Sequence, residues 1–176
     1  SCMGQNHTPQ IPRNGYAFHE VYMAFKEDLK QGQIAEDSVL AFIRSKHPKS
    51  YRVAGKEPEL DIIIAEEAVG VEVKYDPRSR ETGNFVVELY HSKPSGILVT
   101  RSEVWVFHDG IDQHWISTSV LIDDVLQHCD SPAIFKAGAD WDEKYVFLVP
   151  VQLIKDNSFG IHHDPIHTIA SRGVNG

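Results

Sequence analysis

The chain has 176 residues, of which 41% are hydrophobic and 24% charged, with a formal net charge of -8. That length suits one domain with a sizeable core, and the balance is that of an ordinary globular protein. No apolar run approaches the roughly 20 residues that a membrane-spanning helix needs. The only cysteines, Cys2 and Cys129, are too few for a disulfide framework.

Residues 1–15 are polar and rich in Pro and Gly, and are expected to form a flexible arm without a signal-peptide pattern. Ser1-Cys2 ahead of Met3 reads as an addition to a native start at Met3. Tyr16 to Leu29 carries a helix-compatible apolar pattern, and Gly32 is expected to break it. Gln33 to Lys46 predicts an amphipathic helix ended by Pro48. Strands are expected at about 60–65, 70–75 and 84–90, the first two joined by the turn Glu66-Glu67-Ala68. Asp76 to Gly83 and Lys93 to Gly96 read as polar turns. Ile97 to Ser102 fits a short strand or a helix. Val104–His108 and His114–Ser117 read as a hairpin around Asp109-Gly110. A helix over 120–127, a strand over 145–149 and a turn or short helix over 150–154 follow. The tail, 157–176, is Gly/His-rich and reads as extended or partly ordered. Strands interspersed with helices predict a mixed α/β domain over 16–156.

Charge is unevenly spread along the chain. Up to Arg101 there are 13 Lys and Arg against 14 Asp and Glu; after it there are 4 against 11. A net acidic chain is a mild argument against a nucleic-acid partner. However, Arg44, Lys46, Lys49, Arg52 and Lys56 form a stretch without acids, which fits a phosphate-facing patch or a solvated loop equally well.

The chemistry concentrates in two runs, Asp61-Ile62-Ile63-Ile64-Ala65 and Gly70-Val71-Glu72-Val73-Lys74-Tyr75. Side chains alternate along a strand, so Glu72 and Lys74 share one face while Val71, Val73 and Tyr75 take the other. Two carboxylates and a lysine on paired, central strands form a divalent-metal site with a cation beside it, or else a charge ladder on a solvated face. Charges embedded among β-branched residues favour the site, because uncompensated burial is costly. On the preceding helix, Ala35, Val39, Leu40, Phe42 and Ile43 form an apolar arc, and Glu36 falls inside it. Glu36 is either a third acidic member of that site or a boundary residue in a salt bridge. In 82–88, Thr82, Asn84 and Glu88 line a polar face opposite Phe85 and Val87. If that strand pairs beside the Glu72 strand, the polar face extends the site.

Asp61, then Glu72-Val73-Lys74 eleven residues on, with Glu36 on the helix before them, resembles the PD-(D/E)xK nuclease superfamily. Its members include restriction endonucleases, phage exonucleases and Holliday-junction resolvases. The stretch Thr82-Gly83-Asn84 to Glu88, followed by Ser95-Gly96-Ile97, is similar to small, often phage-borne members. The resemblance covers roughly residues 33–108. It departs from the pattern at Pro58-Glu59-Leu60-Asp61, where proline does not adjoin the acid and Glu59 rivals Asp61.

The resemblance implies a restriction-endonuclease-like α/β fold, a central mixed β-sheet flanked by helices. It implies a Mg²⁺- or Mn²⁺-dependent deoxyribonuclease in the cytoplasm of a bacterial or phage-infected cell, with DNA as partner and homodimerisation by analogy. Asp61, Glu72 and the Val73 carbonyl are then metal ligands, with Glu36 holding the metal or a metal-bound water. Lys74 orients the attacking water and stabilises the transition state, and Glu88 supports a metal water or Lys74. Arg78, Arg80, Lys93 and Arg101 are candidate phosphate contacts.

Two rival readings accompany this one. The first is a catalytically inactive nuclease-like fold that binds nucleic acid or serves an assembly. The second is a zinc site in the tail at His162, His163, Asp164 and His167. Trp105, between Val104 and Val106, is expected in the core; Trp115 and Trp141 could stack bases.

Overall fold

The computed structural model describes residues 15–55, 59–130, 132–137 and 142–166. A single helix, α1 (Gly15–Arg44), opens it. The expected break at Gly32 does not occur. A Cβ at Gly32 would meet nothing within 4 Å, so the position is open, and a mid-helix glycine costs only about 1 kcal/mol. Packing of the α1 arc outweighs that cost. Ala35, Val39, Leu40 and Ile43 are buried, as the periodicity predicted.

Three strands follow: β1 (Tyr51–Arg52), β2 (Ile62–Ile64) and β3 (Val69–Tyr75). A short helix, α2 (Ser79–Thr82), leads to β4 (Asn84–His91) and β5 (Lys93–Pro94). A 3₁₀ turn over Gly96–Leu98 replaces the strand or helix expected at 97–102. The predicted hairpin is present as β6 (Val104–His108) and β7 (Asp112–Ser117). The helix predicted at 120–127 is a composite, here α3. It is α-helical at Thr118–Val120, π-helical over Leu121–Val125 and 3₁₀ at Leu126–His128. The chain continues as β8 (Ala133–Ala137), β9 (Asp142–Pro150), α4 (Val151–Asn157) and β10 (Gly160–His163).

The strands form two sheets. The first is mixed, in the order β1-β2-β3-β6-β7-β10, with β3 and β6 parallel; the second is antiparallel, β5-β4-β9-β8. The class is therefore mixed α/β. One face of the mixed sheet (Ile62, Ile64, Val71, Val73, Val106, Trp115) packs on α1. Its other face (Trp105, Phe107, Ile116) packs on Phe85 and Val87 of β4 and on Leu121 and Val125 of α3. Rather than helices on both sides, the mixed sheet has α1 on one face and a second sheet with α3 on the other. Phe85 and Phe107 meet across that interface at 5.0 Å between ring centroids, within the range of favourable aromatic pairs. Trp105 is fully buried in the core, as expected.

Two further expectations need correction. The strand β4 does not neighbour β3; it pairs with β9 and β5 in the other sheet. Both sides of β3 are already taken by β2 and β6, and the apolar face of β4, Phe85 and Val87, packs instead on Trp105 and Phe107. The segment 157–163 is also part of the domain, because β10 pairs antiparallel with β7 from Gly160↔Trp115 to His163↔Asp112. Lys56, Trp141 and His167 lie outside the described residues, as does the arm before Gly15. No described helix is long and apolar enough to cross a membrane.

Candidate active site

Asp61 sits immediately before β2 and is held on three sides. Its N–H donates to the Val71 carbonyl (3.0 Å), and its own carbonyl accepts from the Val53 N–H (2.8 Å). Its Oδ2 accepts from the Val73 N–H at 2.7 Å. Register pairing of β2 with β3 ends at Ile62↔Val71, so the Val73 amide has no strand partner there and takes the carboxylate instead. A strand residue presents its N–H and C=O along the same edge. The Val73 carbonyl is therefore on the Asp61 side of β3.

Glu72 and Lys74 project from β3 toward the second sheet, as alternation requires. Their cross-strand neighbours are Trp105 and Phe107 of β6. The Glu72 side chain is only 6% exposed. Its Oε1 is 2.8 Å from Lys74 Nζ, while its Oε2 is buried without a partner in hydrogen-bond geometry. Burial drives the Glu72 pKa up to about 9; Lys74 opposes the rise, and the carboxylates of Asp61 and Glu59 reinforce it. At neutral pH Glu72 therefore keeps its proton. Burial raises Asp61 as well, against the lowering pull of the Val73 amide, Lys74 and the neighbouring Glu72 carboxyl acting as proton donor.

Lys74 completes the group. Burial disfavours its charge, but Glu72 and Glu59 outweigh burial and hold the ammonium above the ordinary lysine range. Its Nζ lies 2.6 Å from Glu59 Oε2 and 5.2 Å from the centroid of the Trp105 ring, a cation–π arrangement. Glu59 was legible only as a rival for Asp61; in the structure both approach the site, and it is Glu59 that pairs with the lysine.

Glu36 and Glu88 flank this group without joining it. Burial raises the Glu36 pKa, and Asp61 is the next cause, so the two carboxylates feel each other. Yet Glu36 Oε2 is paired with Arg52 Nε of β1 at 3.2 Å, the salt-bridge reading of that residue. Arg52 also grips Asp37 at 2.6 Å, so this member of the basic stretch is neutralised. Glu88 Oε1 accepts from the Ser95 hydroxyl at 2.6 Å, and its Oε2 lies 3.4 Å from Lys144. Burial works against the Glu88 charge, but Ser95, Lys144 and the more distant Lys74 keep its pKa below the ordinary range. Gly96 shapes this corner: at φ 54, a Cβ there would stand 1.9 Å from the Glu88 carbonyl oxygen.

Among the described residues, no three His, Cys, Asp or Glu side chains converge closely enough to hold a metal ion. What Asp61 and Glu72 offer is two carboxylates beside a carbonyl-bearing strand edge. Of the candidate phosphate contacts, Arg80 lies 3.5 Å from Asp109. Arg78 lines a cleft with Glu27, Asp28 and Asp76, and Lys93 is exposed on β5.

The histidine tail has a structural occupation. His162 stacks on Phe42 at 3.9 Å between centroids, and His163 Nδ1 meets Asp112 Oδ1 at 2.8 Å. Asp164 Oδ2 accepts from Gln113 Nε2 (2.8 Å) and from the Ser38 hydroxyl, and lies 3.5 Å from His108 Nε2. Sequence reasoning missed this cluster, since His108 and Gln113 are fully buried and nothing in their hairpin names the distant Asp164 as their partner.

Compared with known proteins, the chain matches no family model, no curated protein and no solved structure.

Proposed function

We propose that this chain is a divalent-metal-dependent nuclease that hydrolyses DNA phosphodiester bonds with a restriction-endonuclease-like, PD-(D/E)xK-type site. One observation carries the reading: Asp61, just before β2, and Glu72, on the neighbouring β3, are two carboxyl groups kept largely from solvent and set beside the Lys74 ammonium. Clustered acidic groups with strongly perturbed pKa values are expensive to bury, and functional sites are where such costs are retained.

The donor set fits a hard cation. Mg²⁺ needs oxygen ligands and is commonly held by one or two carboxylates plus waters and substrate oxygens. Asp61, Glu72 and the Val73 carbonyl would hold it, whereas Glu36, tied to Arg52, is better placed to tune Asp61 through its charge. The bound ion would lower the pKa of its water and neutralise charge on the scissile phosphate.

The residues themselves supply positioning and electrostatics. The Val73 N–H orients Asp61. Lys74, held protonated by its carboxylate neighbours, donates hydrogen bonds to phosphate oxygens and stabilises charge in the transition state, and does not act as a base. Trp105 and Phe107 floor the site and limit water on that side.

The test is cleavage of linear, circular, flapped and four-way-junction DNA with Mg²⁺ or Mn²⁺. Activity is expected on at least one form, and Asp61→Asn, Glu72→Gln and Lys74→Gln should each remove it while leaving the far-UV spectrum intact. If no form is cut with either metal, the enzyme reading fails; retained DNA binding in that case would identify a binding module.

A further inference from the structure

The ammonium of Lys74 has three N–H donors, and two of them face carboxylates. Glu72 Oε1 takes one at 2.8 Å and Glu59 Oε2 another at 2.6 Å, with the Trp105 ring on a further side and the side chain 29% exposed. A phosphodiester oxygen competes for this lysine with two carboxylates, and gains its donor and its charge in full when one of them leaves. The two carboxylates are not equally free to do so. Glu72 is fixed on β3, two residues away on the same face, between β2 and β6. Glu59 lies before β2, outside either sheet. Its backbone takes φ 55, a left-handed conformation that non-glycine residues rarely adopt. Its carbonyl is pinned by the Ser102 hydroxyl at 2.7 Å and more loosely by Thr100 at 3.3 Å. Strained residues of this kind persist where their surroundings hold them, and they cluster at ligand clamps and switches.

We infer that Glu59 is a displaceable placeholder, its carboxylate occupying on Lys74 the position that a phosphodiester oxygen takes when substrate binds. The inference rests on the nuclease reading above and adds the regulation of that site. The free protein keeps its catalytic cation neutralised inside the wedge between the sheets. Substrate must displace Glu59, and the cost of doing so lowers the apparent affinity by the fraction of molecules with Lys74 released. Because Ser102 and Thr100 hold the Glu59 carbonyl and not its carboxylate, the side chain can swing away while the backbone stays anchored.

The experiment is fluorescence anisotropy of a labelled DNA duplex in Ca²⁺ in place of Mg²⁺, for wild type, Glu59→Gln, Lys74→Gln and the double variant. Glu59→Gln is expected to tighten binding by about three- to tenfold, and by less than about twofold when Lys74→Gln is already present. Glu59→Asp, which keeps the charge but shortens the reach, should also tighten binding, separating the placeholder from a general loss of negative charge. It also serves if Glu59→Gln fails to fold. Tightening of equal size with and without Lys74, or none in a wild type that binds and cuts DNA, overturns the placeholder and leaves the nuclease reading standing. If wild type and every variant neither bind nor cut DNA, both fall together.

Discussion

Glu72→Gln offers the sharpest check on the electrostatics of the site, because it should stabilise the protein while abolishing the proposed nuclease activity. Glu72 is raised from 4.5 to about 9 by burial, against the pull of Lys74. Its folded pKa exceeds its unfolded one, so the stability it contributes is complete below pH 4.5 and is lost as pH climbs toward 9. Each pH unit in that window is worth about 1.4 kcal/mol. At pH 7 the accumulated loss is about 3 kcal/mol, a large share of the roughly 5–15 kcal/mol typical of a domain. A glutamine titrates nowhere in this range. Its Oε1 can still accept from Lys74, and its NH₂ can donate to Asp61 in place of the Glu72 carboxyl proton. Urea unfolding followed by circular dichroism in EDTA, at intervals from pH 4 to 8, should show no gain at pH 4 and up to about 3 kcal/mol at pH 7. The reasoning is refuted if the substitution destabilises at pH 7. Glu72 would then be ionised in the folded protein, and breaking a buried ion pair with Lys74 would cost about 3–5 kcal/mol.

Other outcomes follow from neighbouring features. Burial lowers the His108 pKa from 6.5 despite the raising effects of Asp164 and Asp109. Stability should therefore fall as pH drops below 6.5, and His108→Gln should flatten that limb in thermal melts between pH 7.5 and 5. This slope is opposite in sign to that of Glu72, so the two separate by substitution. Gly96→Ala should cost about 3 kcal/mol or more in urea unfolding, since its Cβ would collide with the Glu88 carbonyl oxygen at 1.9 Å. Glu36→Gln should reduce cleavage about tenfold less than Asp61→Asn, because Arg52 already holds the Glu36 carboxylate. Arg52→Ala should change stability by less than about 1 kcal/mol, as that pair is more than a third exposed on the arginine side.

Local patterns were legible in the chain. The alternation of Val71, Glu72, Val73 and Lys74 predicted which side chains share a face: Val71 and Val73 join the cluster under α1, while Glu72 and Lys74 lie beside Trp105 and Phe107 on the other. Asp109-Gly110 marked its hairpin, and Gly110 takes φ 93. Pairings set by distant segments were not legible. The partner of β4 is β9, about sixty residues on, and nothing in Asn84–His91 names it. The histidines at 162 and 163 read as a polar tail because their strand has too few apolar residues to signal pairing; it is recruited by the free edge of β7. Gly32 misled through propensity, a weak term beside an apolar arc. Glu59 was visible as an acid near Asp61, but its grip on Lys74 depends on a left-handed turn that no glycine announces.

The site and the fold share one register, which explains why charges can persist on a central strand. Val71 and Val73 belong to the cluster under α1, and the same period of two sends Glu72 and Lys74 to the opposite face. A slip of β3 by one residue would drive both charges under α1 and expose the valines to the wedge, so the apolar core enforces the position of the polar group. On the wedge side, Trp105 is the residue that joins the two. It is fully buried among Phe85, Phe107 and Ile116, its indole N–H donates to Thr100 Oγ1 at 3.1 Å, and its ring lies beneath Lys74. Thr100 in turn contacts the Glu59 carbonyl. Core packing, the cation and the strained turn at Glu59 are thus connected through a single side chain. Trp105→Phe, which keeps an aromatic ring, though a smaller one, and removes the N–H, should leave the core folded yet loosen Thr100 and Glu59 together. Loss of the tightening by Glu59→Gln in that background would be the measurable sign.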